Sequence, residues 1–486
     1  MYDGLISLDI RGLFSFGFYS YGFGFFFLNL LAVTPFFATN NIEMIIYIPR
    51  IITSLFALGS LWLIYKIALK YIDRFSSILI AFIVLTMPGF YRNALWFHPD
   101  WMMTFFIVLS VYLFTKDEFS YKKYFWWAVC SLGIALSVKL QAVTFLPFLF
   151  LYIYYDNFQN KNFDKFYLNI KLSFKSFLIL LVTFVIANPY LIHPAGLKVF
   201  IGSFLANMES NATNHGLDVK VAMIDKLYNA IDFYYSNSIL FIIVFCVDLY
   251  LIFSILKKAN QKTVLPLISL YFVVNIAYLF LIVNKDWQHY YLTIFTVTPL
   301  LFIFLVKRYE KFKYFMLGGV ILIQVVTHMP EYKYVLTNGY HLNLDKQKSI
   351  ELQNKISDTL ISDLKSHIVK DTNILISPFQ PFDFRKIGLT FKNIPVINGP
   401  ISKSMFDLES YIESSSVKDP SRFQEKEFII ISKSDIYFNE VELAKRVNKQ
   451  GYKEAFKIIE NFNAAGDLGY QKFKENEYFY IWRKKK

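Results

Sequence analysis

Apolar stretches recur along the first two thirds of the chain, at 51–69, 75–90, 101–115, 174–192, 236–256, 263–283, 288–306 and 313–329, with a double-length stretch at 124–155 and a further run at 18–37. Most approach the ~20 residues that a helix needs to cross a hydrocarbon core. Helices satisfy their backbone polar groups internally, which a bilayer requires of any spanning segment. The 32 residues of 124–155 are too many for one ordinary crossing and too few for two with a normal loop. The spacing therefore predicts a tight helical pair turning near Lys139 and Gln141. From about 340 the pattern changes. A helical stretch at 345–367 is followed by short β-branched runs at 372–379, 396–399 and 427–435, a helix at 439–461 and a terminal strand at 478–486. The expected fold class is an all-α polytopic membrane domain over 1–330 and a small C-terminal α/β domain over 331–486, with short apolar strands in a helix-covered sheet.

Charge divides the chain in the same place. Of 486 residues, 55% are hydrophobic and 18% charged, with a formal net charge of +13. Residues 1–329 hold 25 Lys+Arg and 16 Asp+Glu, against 25 and 21 in the much shorter remainder. In the first part, 17 basic residues collect at 66–74, 116–123, 161–175, 257–262 and 307–313, on alternate connections between apolar runs. Such asymmetry marks the cytoplasmic side. The segments 38–49, 91–100, 139–141, 193–235 and 284–289, together with the C-terminal domain, are then expected outside a multi-pass inner or plasma membrane protein. The positive charge reads as orientation, so no nucleic-acid partner is expected. Cys130 and Cys246 lie inside apolar runs and offer neither a disulfide framework nor a zinc motif.

A few polar residues do not follow from topology. Lys139 is the only charged residue between Lys123 and Asp156. At the hydrocarbon edge it either snorkels to the headgroups or pairs with a phosphate or carboxylate. Asp100 opens an apolar run directly after Pro99, which suits a helix cap. His98 and Arg92 share its connection, and Lys139 is expected at the same depth. His215, Lys285 and His289 fall on other outward connections, where solvated loop residues are the plain reading. Together these groups are suited to acid/base work and phosphate binding. His98, His215 and His289 are also metal-capable, but no HExxH or CxxC spacing accompanies them. No cofactor is assigned and a divalent metal stays open. Asp248, inside an apolar run, is an intramembrane carboxylate and thus a functional candidate in its own right.

Four segments carry a family resemblance: FYSYGFGFFFLNLLAVTPFF (18–37), RIITSLFALGSLWLIYKIALKY (50–71), FHPDWMMTFFIVLSVYLF (97–114) and GIALSVKLQAVTFLPFLFL (133–151), with weaker echoes in NPYLIHP (188–194) and HYYLTIFTVTPLL (289–301). In order and spacing the chain resembles bacterial GT-C glycosyltransferases of the protein O-mannosyltransferase and aminoarabinose-transferase type. The resemblance implies a hexosyl or pentosyl transferase using a polyprenyl-phosphate sugar donor, with a lipid, glycan or protein acceptor of the cell envelope. It implies that Asp100 and Lys139 line the donor site, with Lys139 near the phosphate and His289 or Tyr290 at the same rim. Arg92 is assigned with the donor-phosphate residues, and His98, Gln141 and His215 with the rim. The run at 18–37 is then expected to lie along the outer surface. The family's catalytic aspartate follows a first spanning helix that this chain does not display, so an N-terminal segment is expected to be missing or Met1 misassigned. Asp3 and Asp9 are the acids left for that role. The rival expectation is a lipid-linked saccharide transporter without chemistry, which predicts internal repeats and mid-bilayer polar groups. A polymer-assembly scaffold is more distant.

Overall fold

The computed structural model describes residues 1–368 apart from 15, 17–18, 40, 161–165, 214–220, 233, 257–262 and 286, and beyond them 374–376, 386–387, 390–391, 396–398, 427–432 and 470–485. The chain forms two compact units, Met1–Tyr332 and Lys333–Lys486.

The first unit is helical. Three helical stretches, Met44–Leu69, Phe166–Ala187 and Gln288–Arg308, are long and apolar enough to cross a membrane on length and composition, and shorter apolar helices accompany them. The Phe166–Ala187 helix leaves Phe174, Phe177, Leu181, Val182 and Ile186 exposed. That is a face suited to lipid and costly in water. The chain is a multi-pass membrane protein of all-α type in this unit. Opposite in character is the stretch Gln288–Arg308, almost wholly buried. The Lys123–Val138 helix packs between Asp100–Asp117 and Phe166–Ala187.

One run departs from the expected pattern and another breaks where a turn was expected, each for a local cause. The run at 75–90 is not one helix: Arg74–Leu85 and Pro88–Ala94 are bent by 67°. Met87, which precedes Pro88, takes an extended conformation (φ −80°, ψ 125°), because the proline ring disfavours the helical region for the residue before it. The run at 124–155 is interrupted at Lys139, whose backbone is extended (φ −155°, ψ 126°). A 3-10 turn over Leu140–Phe145 follows, then the Leu146–Asn160 helix. At the break Lys139 forms an isolated antiparallel bridge with Tyr21, and Gly22 N–H donates to Val138 O at 2.9 Å. A Cβ on Gly22 would lie 1.7 Å from Ser137 O, so only glycine lets these two backbones meet. The strap leads into Phe23–Ala38, a helix of 16 residues and thus short for a crossing.

The second unit holds strands β1 (Ile374–Ile376), β2 (Val396–Asn398), β3 (Phe428–Ser432), β4 (Tyr470–Glu475) and β5 (Phe479–Lys484) in the order β2-β1-β3-β5-β4. β2, β1 and β3 are parallel, and β5 and β4 antiparallel. Ile356, Leu360 and Leu364, one turn apart on the helix Met329–Leu364, share a core with Ile374, Phe428, Ile430, Phe479 and Ile481. This is the expected α/β domain with one addition. Strand β4 (YQKFKE) is mostly exposed and carries a bulge between Lys472 and Lys474. It has too few apolar residues to announce itself, and its lysines suit an edge strand that must not pair with another chain. The expected helix at 439–461 lies outside the described residues.

Candidate active site

At one end of the first unit, side chains from five separate segments meet at a site around Asp100. The Asp100–Asp117 helix is capped by Pro99, which offers no side-chain bond. Asp100 is the first helical residue and its carboxylate is not spent as a cap. It is 1% exposed. Its Oδ1 accepts from Lys139 Nζ at 2.7 Å, and its Oδ2 touches His98 Nδ1. Lys139 is buried as well, so the carboxylate-pairing expectation describes its position and the snorkelling one does not. The break leaves Lys139 at the helix end, where its side chain reaches Asp100.

The imidazoles are held by rings. His98 Nε2 shares a hydrogen bond of 2.9 Å with Tyr21 OH, and Trp96 stacks on the His98 ring at 4.6 Å. The His289 ring lies 4.8 Å from that of His98 and makes contacts with Trp96, Trp287 and Tyr290. Lys139 Nζ sits 4.9 Å from the Tyr290 ring centre and 5.8 Å from that of Tyr21, close enough for cation–π attraction. Gln141 Nε2 donates to Tyr290 O at 2.8 Å, and Tyr290 OH to Asn211 Oδ1 at 3.0 Å. Lys285, on the short connection before Gln288, is buried with its Nζ 4.6 Å from the Trp287 ring centre. Burial lowers its ammonium to about 8.

His98, Asp100 and His289 each bring one ligand-type atom to within 4.8 Å of the other two. Such a cluster can hold a cation, relay a proton or receive a phosphate beside Lys139.

Of the expected residues, Asp100, Lys139, His98, Gln141, His289 and Tyr290 meet here. Arg92 does not join them: its Nε donates to Glu331 Oε1 at 2.6 Å and its guanidinium lies 4.7 Å from the Tyr234 ring centre. Asp9 is exposed and accepts from Arg11 N–H at 3.0 Å. Asp3 belongs to the short helix Tyr2–Ile6, with its side chain outside the described set, and His215 lies outside the described residues. Tyr21, Trp96 and Asn211 were not expected at the site. The one signal for Tyr21 is its neighbour Gly22, which allows the close strap.

The family described as Dolichyl-phosphate-mannose-protein mannosyltransferase matches residues 23–193. No curated protein matches the chain in sequence. Among solved structures, the chain is similar to ArnT from Cupriavidus metallidurans bound to undecaprenyl phosphate, with 9% identity, a TM-score of 0.55, and 96% of this chain and 88% of that one covered. It is also similar to the archaeal oligosaccharyltransferase AglB from Archaeoglobus fulgidus in complex with an inhibitory peptide and a dolichol-phosphate, at 14% identity and a TM-score of 0.50, covering 86% of this chain and 62% of that one. The resemblance to GT-C enzymes of the protein O-mannosyltransferase and aminoarabinose-transferase type thus holds in the matched segment and in the fold.

Proposed function

We propose that the chain is a glycosyltransferase that moves a sugar from a polyprenyl-phosphate donor to a hydroxyl of a lipid, glycan or protein acceptor at the outer face of the cell membrane. The observation that carries this reading is the buried Asp100–Lys139 pair at the end of the unit opposite the basic connections. A lipid-linked phosphate arrives at the hydrocarbon edge, where an ammonium is strongest. Lys139 spends one N–H on Asp100, and an ammonium has three. In the reaction the acceptor oxygen bonds to the anomeric carbon while the bond from that carbon to the phosphate oxygen breaks. The acceptor proton passes to a carboxylate of the N-terminal segment, Asp9 or Asp3, and polyprenyl phosphate leaves with the electron pair. Lys139 stabilises the charge that develops on the leaving oxygen, and Asp100 fixes Lys139. Tyr290 and Gln141 form the rim. We infer that the C-terminal domain is extracytoplasmic; what supports this is that the Lys313–Thr327 helix begins among the basic connections.

A second reading, a carrier of lipid-linked saccharides without chemistry, is favoured by Asp248, which is buried beside an apolar cavity of about 310 Å³ lined by Val244, Leu305 and Val320. Sugar transfer by membrane vesicles supplied with polyprenyl-phosphate sugars separates the two. Lys139→Ala and Asp100→Asn are each expected to lower transfer by about 100-fold or more, the scale of losing one transition-state charge partner. Full transfer by both variants would sink the assignment.

A further inference from the structure

We propose that Tyr235, on the connection before the Ser238–Leu256 helix, is a positioning residue: it holds the 3-10 turn Gln288–Tyr291, and with it His289 and Tyr290, against the Asp100–Lys139 pair. Tyr235 acts through the backbone. Its hydroxyl donates to Gln288 O at 2.6 Å, one residue before His289. A second carbonyl of the same turn, Tyr290 O, accepts from Gln141 Nε2 at 2.8 Å, so the turn is gripped by side chains from two distant parts of the chain. Just beyond it, the hydroxyls of Thr293 and Thr104 share a hydrogen bond of 2.7 Å. That bond ties the segment to the helix that Asp100 begins.

Tyr235 is itself held firmly enough to serve as a reference point. Its N–H and that of Ser236 both donate to Ile231 O, at 3.0 and 2.9 Å, and Ser238 N–H donates to Asp232 Oδ1 at 2.8 Å. Tyr235 O accepts from Gln324 Nε2 at 3.3 Å, and Gln324 Oε1 accepts from the Thr86 hydroxyl at 2.8 Å. The ring is 1% exposed and stacks on Phe295 with centres 4.8 Å apart and planes 8° from parallel. It also lies against Gly89, where a Cβ would run into the ring.

A hydroxyl in this setting needs a reason. Phenylalanine would fill the same space and stack equally well on Phe295 with no polar atom to satisfy. A buried neutral hydrogen bond adds little net stability over that alternative. Its benefit lies in where it holds Gln288 O. Displacements of about 1 Å can cost about 100-fold in rate, and the 4.9 Å between Lys139 Nζ and the Tyr290 ring centre depends on the position of this turn. The role rests on the transferase reading, but the grip on the turn can be measured by lipid binding without it.

The test uses the full chain in lipid nanodiscs, with a polyprenyl-phosphate sugar as transfer substrate and undecaprenyl phosphate as binding probe. Tyr235→Phe keeps the ring and removes the hydroxyl. It is expected to raise the KM for the donor and the Kd for undecaprenyl phosphate about 10-fold each, with the acceptor KM unchanged. Gly89→Ala, which displaces the ring, is expected to do the same; where it fails to fold, Tyr235→Phe carries the test. Gln141→Ala loosens the same turn from the other side, so the double variant Tyr235→Phe/Gln141→Ala is expected to lose less than the product of the two single losses. A residue that only stabilises the fold would lower the unfolding midpoint of Tyr235→Phe and leave both constants at parent values. That result, or single losses that multiply, overturns the proposal. Transfer by the parent chain with parent constants in Tyr235→Phe overturns this inference alone. Weaker lipid binding by Tyr235→Phe with no transfer by any chain keeps the grip on the turn and overturns the transferase reading, and neither binding nor transfer by the parent overturns both.

Discussion

The two ends of the membrane unit use the same residue types under opposite conditions. At the basic end, connections far apart in sequence meet through lysines at least partly open to solvent: Lys313 Nζ reaches Asp73 Oδ2 at 2.8 Å, Lys70 pairs with Glu118 and donates to Thr115 O, and Lys307 lies 5.1 Å from the Tyr71 ring centre. Pairs of this kind generally contribute at most about 1 kcal/mol and weaken in salt. At the other end, Asp100 and Lys139 are shut away from water. There the transfer of each ion out of water costs several kcal/mol, and their attraction does little more than offset it. Exposed lysines orient the protein, whereas a lysine buried against a carboxylate has no stabilising reason to be charged. An ion pair that stability does not require points to chemistry.

That contrast breaks most sharply at the buried pair. Lys139→Met leaves Asp100 without its ammonium and is expected to lower stability by about 3–5 kcal/mol, read as the midpoint of denaturant unfolding in detergent. The double variant Lys139→Met/Asp100→Leu is expected to recover most of that loss while remaining inactive. A double variant as unstable as the single one would mean that the pair is structural. Not every polar group of the basic end is open. Asp117 is buried and accepts from Ser120 OH (3.0 Å), Tyr121 N (2.9 Å), Lys122 N (3.0 Å) and Tyr152 OH (2.7 Å). It fixes a turn in which Glu118, Phe119 and Tyr121 hold positive φ. Asp117→Ala is expected to remove about 2–3 kcal/mol by orphaning these donors, with transfer per folded molecule unchanged. A fall in specific activity would show that the two ends are coupled.

Lys285 sharpens the comparison through pH. Its pKa is about 8 in the folded chain against a reference of 10.5, so between those values the unfolded chain binds more protons. Stability attributable to this residue must therefore rise with pH from about 8 toward 10.5. The melting temperature of the parent chain relative to Lys285→Met is expected to climb across that window and to be flat from pH 6 to 7. A flat difference throughout would mean that Lys285 is as solvated as the lysines of the basic end.

Periodicity and charge made the membrane half legible, because a spanning helix must be apolar and its cytoplasmic flanks basic whatever the chain does. The proximity of Asp100 and Lys139 was legible for the same reason: topology alone puts both at one depth. Tyr21 was not, since a strap between Gly22 and Ser137 depends on a missing Cβ and not on any pattern of polarity. Nor was the separation of Arg92, whose partner Glu331 is 239 residues away. Membership of an outer connection fixes depth but not azimuth around the bundle. Strand β4 escaped because exposed edge strands carry little apolar signal.

The smallest expected effect belongs to the basic end and separates two jobs of one residue. Asp73 pairs with Lys313, and it also caps the Arg74–Leu85 helix, its Oδ1 accepting from Ser76 N at 3.0 Å. Burial opposes its charge, but Lys313 and the Ser76 donors outweigh that and hold its carboxyl below the usual range. Lys313→Met removes the ion pair and leaves the cap, while Asp73→Ala removes both. If exposed pairs contribute as little as their setting implies, Lys313→Met leaves the unfolding midpoint unchanged and Asp73→Ala lowers stability by about 1 kcal/mol, the scale of a lost helix cap. Equal losses in the two variants would place the energy in the ion pair. The basic end would then be cemented by its charges as well as oriented by them, and the distinction drawn between the two ends would fail.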